Sequence, residues 1–148
     1  MNLITTLENK RINDNKANCY TFLNVEKYLV ENYFDWIKLE ISHNKKYLVG
    51  KGSILIGVKT YRIEILYSPH LENRYDRIYI KDKSISHNHA IHLYGDLSLC
   101  LYHPIIDKPI YGSIPLYKIV PRITEWIINY EQWKKYGIWL GKEIKHSF

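Results

Sequence analysis

"IKLEISHNKKYLVGKGSILIGVKTYRIEILYSP" runs from Ile37 to Pro69, and its periodicity decides the fold. Ile37, Leu39 and Ile41 alternate with Lys38, Glu40 and Ser42, the period of two expected of a half-buried strand. His43-Asn44-Lys45-Lys46 reads as a turn, and YLVGKGSILIGV follows as a second extended run. Tyr61, Ile63, Ile65 and Tyr67 alternate with Arg62, Glu64 and Leu66 in a third, which Pro69 ends. Residues 76–81, DRIYIK, make a fourth. Only a few residues separate these runs. Parallel crossovers need longer connections, so the spacing predicts an antiparallel meander.

The flanking segments change period. Phe22, Val25, Leu29, Tyr33 and Trp36 recur at spacings of three and four, which predicts an amphipathic helix over roughly residues 16–34, its apolar face running through Phe22, Val25, Leu29 and Tyr33. Asn13, Asp14 or Asn15 is placed to cap it. Near the other end Ile119, Val120, Ile123, Ile127 and Tyr130 form one helical face, with Trp126 and Trp133 beside it. Pro121 marks the first turn of this helix or a break after a short turn at 115–120. Lys134 and Lys135 suit its negative end and Gly137 its C-terminal stop. PIIDKPIYGSIP (104–115) has no clear period. The expected class is α+β: N-terminal helix, four-stranded meander, a cysteine-bearing segment and a C-terminal helix. Without an internal repeat or a Gly/Ser linker, residues 1–148 are expected to form one domain.

Composition narrows the function. The 148 residues are 46% hydrophobic and 24% charged, ordinary for a soluble globular chain. The net charge is +6, but the basic residues are scattered, and no nucleic-acid motif stands out. A solvated surface is therefore expected rather than direct nucleic-acid binding. No apolar run approaches the ~18 residues of a membrane span, and MNLITTLENKRINDNK lacks the apolar stretch of a signal peptide. Cys19 and Cys100 are the two cysteines, without CxxC spacing, so a cytoplasmic location with reduced thiols is expected.

One of those thiols sits in HLYGDLSLCLYHP (92–104). His92 lies eight residues before Cys100, Gly95-Asp96 marks a tight turn between them, and His103 follows three residues later. Alternation predicts Leu97, Leu99 and Leu101 anchored to the core, with Ser98 and Cys100 facing outward. Two readings of Cys100 stand side by side: a nucleophile with neighbouring histidines, or a small buried hydrophobe. A metal site built from His87, His89 and His92 lacks a second cysteine or close carboxylate to complete a tetrahedron. A papain-like arrangement wants its cysteine at a helix start, which LYHP does not provide.

The order of elements, with a histidine about eight residues before an "LCL" cysteine, resembles the ubiquitin-conjugating (E2, or UBC-like) fold. More specifically, YRIEILYSP (61–69), HLYGDLSLCLYHP and IVPRITEWIINYEQWKKYGIWLGKEIKH (119–146) resemble the prokaryotic E2-like proteins of CBASS antiphage systems. The likeness runs from about residue 48 onward. It implies a thioester-forming transferase with Cys100 as nucleophile. Eukaryotic E2 enzymes carry a His-Pro-Asn triplet near His92, but His92-Leu93-Tyr94 lacks the Pro and the Asn. His92, His103 or a backbone N–H is then left to hold the oxyanion or move a proton. The family also implies a partner, a cGAS/DncV-like nucleotidyltransferase whose C-terminal tail is carried, and leaves room for an E1-like activating protein. No cofactor or metal is expected, and no phosphate-cradling GxxxxGK[ST] or GxGxxG is present, so activation belongs to another protein. Trp126, Tyr130, Trp133, Trp139 and His146 match the family pattern and are read as packing residues. A non-catalytic E2-fold module that holds a partner's tail, and a thiol hydrolase, are the competing functions.

Overall fold

A computed structural model describes residues 19–68, 76–86, 91–101 and 114–139. Helix α1 (Cys19–Tyr33) is followed by strands β1 (Ile37–Ile41), β2 (Leu48–Ile56), β3 (Lys59–Tyr67) and β4 (Asp76–Ile80), then by helix α2 (Leu116–Tyr136). The strands form one antiparallel sheet in the order β1-β2-β3-β4. This is the α+β meander that the alternation predicts. One sheet face carries Ile37, Leu39, Leu48, Ile63, Ile65 and Ile78, and these pack with residues of both helices into a single core. Tyr67 spans that core, and its hydroxyl donates to the Ile114 carbonyl at 2.8 Å, which fixes the chain just before α2.

The face of α1 differs from the expected one. Phe22, Leu23, Glu26 and Val30 are buried, whereas Val25 is 39% and Tyr33 71% exposed. Apolar residues lie on several sides of this helix, so spacing alone admits more than one apolar stripe. Docking onto the sheet selects the stripe that includes Leu23 and Val30. Glu31 then joins helix to edge strand, accepting from the Leu39 N–H at 3.0 Å and from Lys27 Nζ at 2.6 Å. Burial pushes the Glu31 carboxyl up, but these two donors outweigh it and hold it below its ordinary value.

Pro121 neither opens nor breaks α2, because the helix runs through it. The proline lies in the second turn and faces solvent. The core face matches expectation, with Ile119, Val120, Ile123, Ile127 and Tyr130 buried. Gly137 ends the helix in the left-handed region, its N–H donating to the Trp133 carbonyl at 2.7 Å.

Asp82 organises the turn after β4. Its Oδ1 accepts from the Ser84 N–H at 2.9 Å and hydroxyl at 2.8 Å, and the Ser84 hydroxyl meets the Tyr130 hydroxyl of α2 at 3.2 Å. Lys59 Nζ lies 2.5 Å from Asp82 Oδ2. That lysine, with the Ser84 N–H, lowers the Asp82 carboxyl from 3.8 to about 2. The ionised form is thus favoured by folding. Its contribution is fully present above about pH 3.8 and is lost as pH falls through about 2. Side-chain NMR is expected to place the Asp82 midpoint near 2, and the stability advantage of wild type over Lys59→Met should vanish across that window.

Gly52 supplies a steric test of the β1–β2 packing. A Cβ there would strike the Trp36 carbonyl oxygen, a backbone atom, and lie 2.9 Å from the Trp36 ring. Gly52→Ala should therefore destabilise by about 1–3 kcal/mol, read as a lowered denaturant midpoint with an unchanged slope.

Candidate functional site

Cys100 lies on a tight hairpin that follows β4. Leu93 and Leu99 form an antiparallel bridge, which sets His92 opposite Cys100 and Tyr94 opposite Ser98. The Cys100 N–H donates to the His92 carbonyl at 3.0 Å, and the Tyr94 N–H to the Ser98 carbonyl at 2.9 Å. The turn closes when the Leu97 N–H donates to the Tyr94 carbonyl at 2.9 Å. Gly95-Asp96 marks this turn in the sequence, but the left-handed residue is Leu97, with φ of 70°. His92 is left-handed as well, with φ of 54°. Both are positions at which a non-glycine side chain is strained by about 1 kcal/mol or more.

Three sets of contacts hold the hairpin. At its base, α2 contributes two residues one helical turn apart. Trp126 Nε1 donates to the carbonyls of Ile91 at 2.9 Å and His92 at 3.3 Å, and Arg122 Nη1 donates to the Leu101 carbonyl at 3.0 Å. Along its length the Leu99 N–H donates to the Ile78 carbonyl at 2.8 Å, which lays the second arm beside β4. At its tip Asp96 Oδ1 accepts from the Ser98 N–H at 2.9 Å and hydroxyl at 2.5 Å. Its Oδ2 accepts from the Tyr79 hydroxyl at 3.2 Å and lies 3.6 Å from Arg77 Nε, so the tip is bound to β4.

These anchors correct the expected alternation. Leu97 is 39% exposed, while Ser98, Leu99, Cys100 and Leu101 are all buried, Cys100 to 3%. Leu99 and Leu101 are buried as the alternation predicts, but Leu97 sits in the turn on left-handed backbone and Ser98 and Cys100 are buried too, so the arm beyond the turn is enclosed on both faces. Cys100 is a reduced, buried thiol rather than an outward-facing one.

The candidate residues fare differently. His92 is brought directly opposite Cys100, with its ring half-buried and its centroid 5.0 Å from that of Trp139. His103 lies outside the described residues, as do His87, His89 and His146. Among the described residues no group of three His, Cys, Asp or Glu could hold a metal ion. Nor is any described helix long and apolar enough to cross a membrane.

Two contributors escape a linear reading. Trp126 packs as expected, stacking on Tyr130 at 5.1 Å, but its indole N–H also grips the hairpin. Arg122 carries no signal of its own in the sequence, since only the fold brings Leu101 to it. Asp96 does have one: Asp-x-Ser at 96–98 repeats Asp-x-Ser at 82–84, and both fold into the same side-chain-bonded turn.

Comparison with known proteins follows from this geometry. A family model described as Type II CBASS E2 protein matches residues 26–147. The match starts inside α1, well before residue 48, so it takes in the whole sheet and the Cys100 hairpin. Neither a curated protein nor a solved structure matches the chain.

The tip clamp makes a measurable claim. Asp96→Ala removes the acceptor shared by Ser98, Tyr79 and Arg77. It should destabilise by about 1–2 kcal/mol and speed modification of Cys100 by a thiol reagent under native conditions. An unchanged labelling rate would show that the hairpin is held without the clamp.

Proposed function

The chain belongs to the Type II CBASS E2 protein family, and from that premise we propose that Cys100 carries the C-terminus of a partner protein as a thioester and passes it to an amine. In the first step the Cys100 thiolate attacks an activated C-terminal carbonyl. A carbon–sulfur bond forms, and the bond to the activating group breaks. In the second step an amine, such as a target lysine, attacks the thioester carbonyl. The amide forms, a base takes the amine proton and the thiolate leaves.

The observation that carries this reading is the pairing of Cys100 with His92 across a strained, three-way anchored hairpin. Strain retained at such a point is a feature of working sites. The Cys100 N–H is committed to the His92 carbonyl. The donor for a developing oxyanion therefore comes from elsewhere, and the imidazole of His92, the residue paired with Cys100, is the candidate. His103 keeps the acid–base role that the family likeness offers it. The chain's own sequence holds no phosphate-cradling loop, so an E1-like protein supplies the activated carbonyl. The carried tail is that of a cGAS/DncV-like nucleotidyltransferase, the partner that family membership supports, and the work is antiphage defence in the cytoplasm.

Burial of Cys100 favours a second reading, in which the E2 fold holds a partner's tail without chemistry. One experiment separates the two. The chain is co-expressed with its genomic neighbours, and adducts are compared on gels with and without reductant. A transferase gives a reductant-labile adduct that Cys100→Ala abolishes and Cys100→Ser converts into a stable ester. If Cys100→Ala leaves both the adducts and phage protection unchanged, the thioester reading fails.

A further inference from the structure

On the solvent side of β3 and β4 lies an open groove of about 430 Å³. Arg62, Tyr79, Lys81 and Lys83 line it, with Ile85 in its wall and Asp96 and Leu97 of the hairpin tip at its lip. Its charges are unevenly spent. Asp82 is held by Lys59, Lys81 lies 3.2 Å from Glu64, and Asp96 is committed to Arg77, Tyr79 and Ser98. Arg62 and Lys83 have no such partner among the described contacts, so two cations face the groove uncompensated. Between them lie apolar surfaces: the Tyr79 ring, Ile85 and the exposed side chain of Leu97. A leucine on left-handed backbone, pointing into solvent, contributes nothing to the core. Its side chain is instead available to a ligand.

We propose that this groove docks an acidic, extended stretch of polypeptide, its carboxylates on Arg62 and Lys83 and an apolar side chain against Tyr79 and Leu97. This rests on the thioester reading above for the identity of the occupant: the stretch is the part of the carried tail that precedes its C-terminus. The hairpin sets the spacing. Leu97 at the lip and Cys100 are three residues apart, so the backbone gap is at most roughly 10 Å, which an extended tail covers with about three or four residues. The acidic positions therefore fall about four residues or more before the carbonyl that Cys100 attacks. The cations also disfavour an incoming lysine, so the amine acceptor approaches from another side. The groove thus separates donor from acceptor by charge.

The test measures binding apart from chemistry. A fluorescein-labelled peptide of about ten residues, with a pair of glutamates about four residues before its free C-terminus, is titrated by anisotropy against the full chain. Its glutamine and lysine counterparts are titrated alongside. The glutamate peptide should bind tightest and weaken as salt rises. Arg62→Glu with Lys83→Glu should weaken it about tenfold and make the lysine peptide the preferred ligand. Arg62→Gln with Lys83→Gln should abolish the salt dependence without reversing the preference, and thermal midpoints check that both variants fold. Equal binding of the glutamate and glutamine peptides overturns the proposal. So does tightest binding of the lysine peptide, or indifference of the glutamate peptide to charge reversal. Failure of the thioester assay with charge-selective binding intact removes the carrier reading alone, and the converse removes only the groove.

Discussion

The hairpin depends on a grip that α2 takes with two residues one turn apart. Trp126 donates to the carbonyls of Ile91 and His92 on the incoming arm, and Arg122 donates to the carbonyl of Leu101 on the outgoing arm. Both arms are thereby referenced to one rigid helix, and the helix is itself locked into the core by Ile119, Ile123, Ile127 and Tyr130. The His92 carbonyl also receives the Cys100 N–H, so the thiol's backbone and the helix meet at one oxygen. Loss of Trp126 or Arg122 would take a donor from the Ile91 or Leu101 carbonyl at a desolvation cost, whereas the His92 carbonyl would keep the Cys100 N–H.

The sheet completes the restraint. Leu99 bonds to Ile78 on the edge strand, and Asp96 binds the turn to Tyr79 and Arg77 on that same strand. Asp82 does comparable work one turn earlier, linking the end of β4 to Lys59 and, through Ser84, to Tyr130. Two aspartate-centred turns thus frame the path from the last strand to Cys100. Each satisfies backbone and hydroxyl donors locally, in a stretch with little regular structure to do so. The same turns shape the groove on the outer face, since Asp82 and Asp96 both line it.

The meander was legible because each strand repeats its signal. Ile63, Ile65 and Tyr67 form one face whatever the neighbours do, and short turns leave antiparallel pairing as the economical connection. The long apolar face of α2 was legible for the same reason. The face of α1 was not, because apolar residues surround much of that helix and only docking chooses between stripes. Pro121 misled for a related cause: core packing on the opposite face carries the helix through a residue that local preference would place at its start. In the hairpin, alternation placed Leu99 and Leu101 correctly but not Leu97, Ser98 or Cys100. Leu97 adopts a conformation that the sequence would assign to a glycine, and the arm beyond it is covered on both faces, which no period displays.

The sequence by itself determined the α+β class, the strand order and the place of Cys100 between two histidines, since these follow from period, spacing and short-range turn chemistry. The tertiary structure alone decided that Cys100 is buried, that His92 stands opposite it, and that Arg122 and Trp126 hold the arms that carry them. It also decided which cations remain unspent along the outer groove. Periodicity is a local property that a linear chain displays. Burial, the pairing of a carbonyl with a distant indole and the sum of charges around a cleft exist only once remote segments are brought within hydrogen-bonding distance.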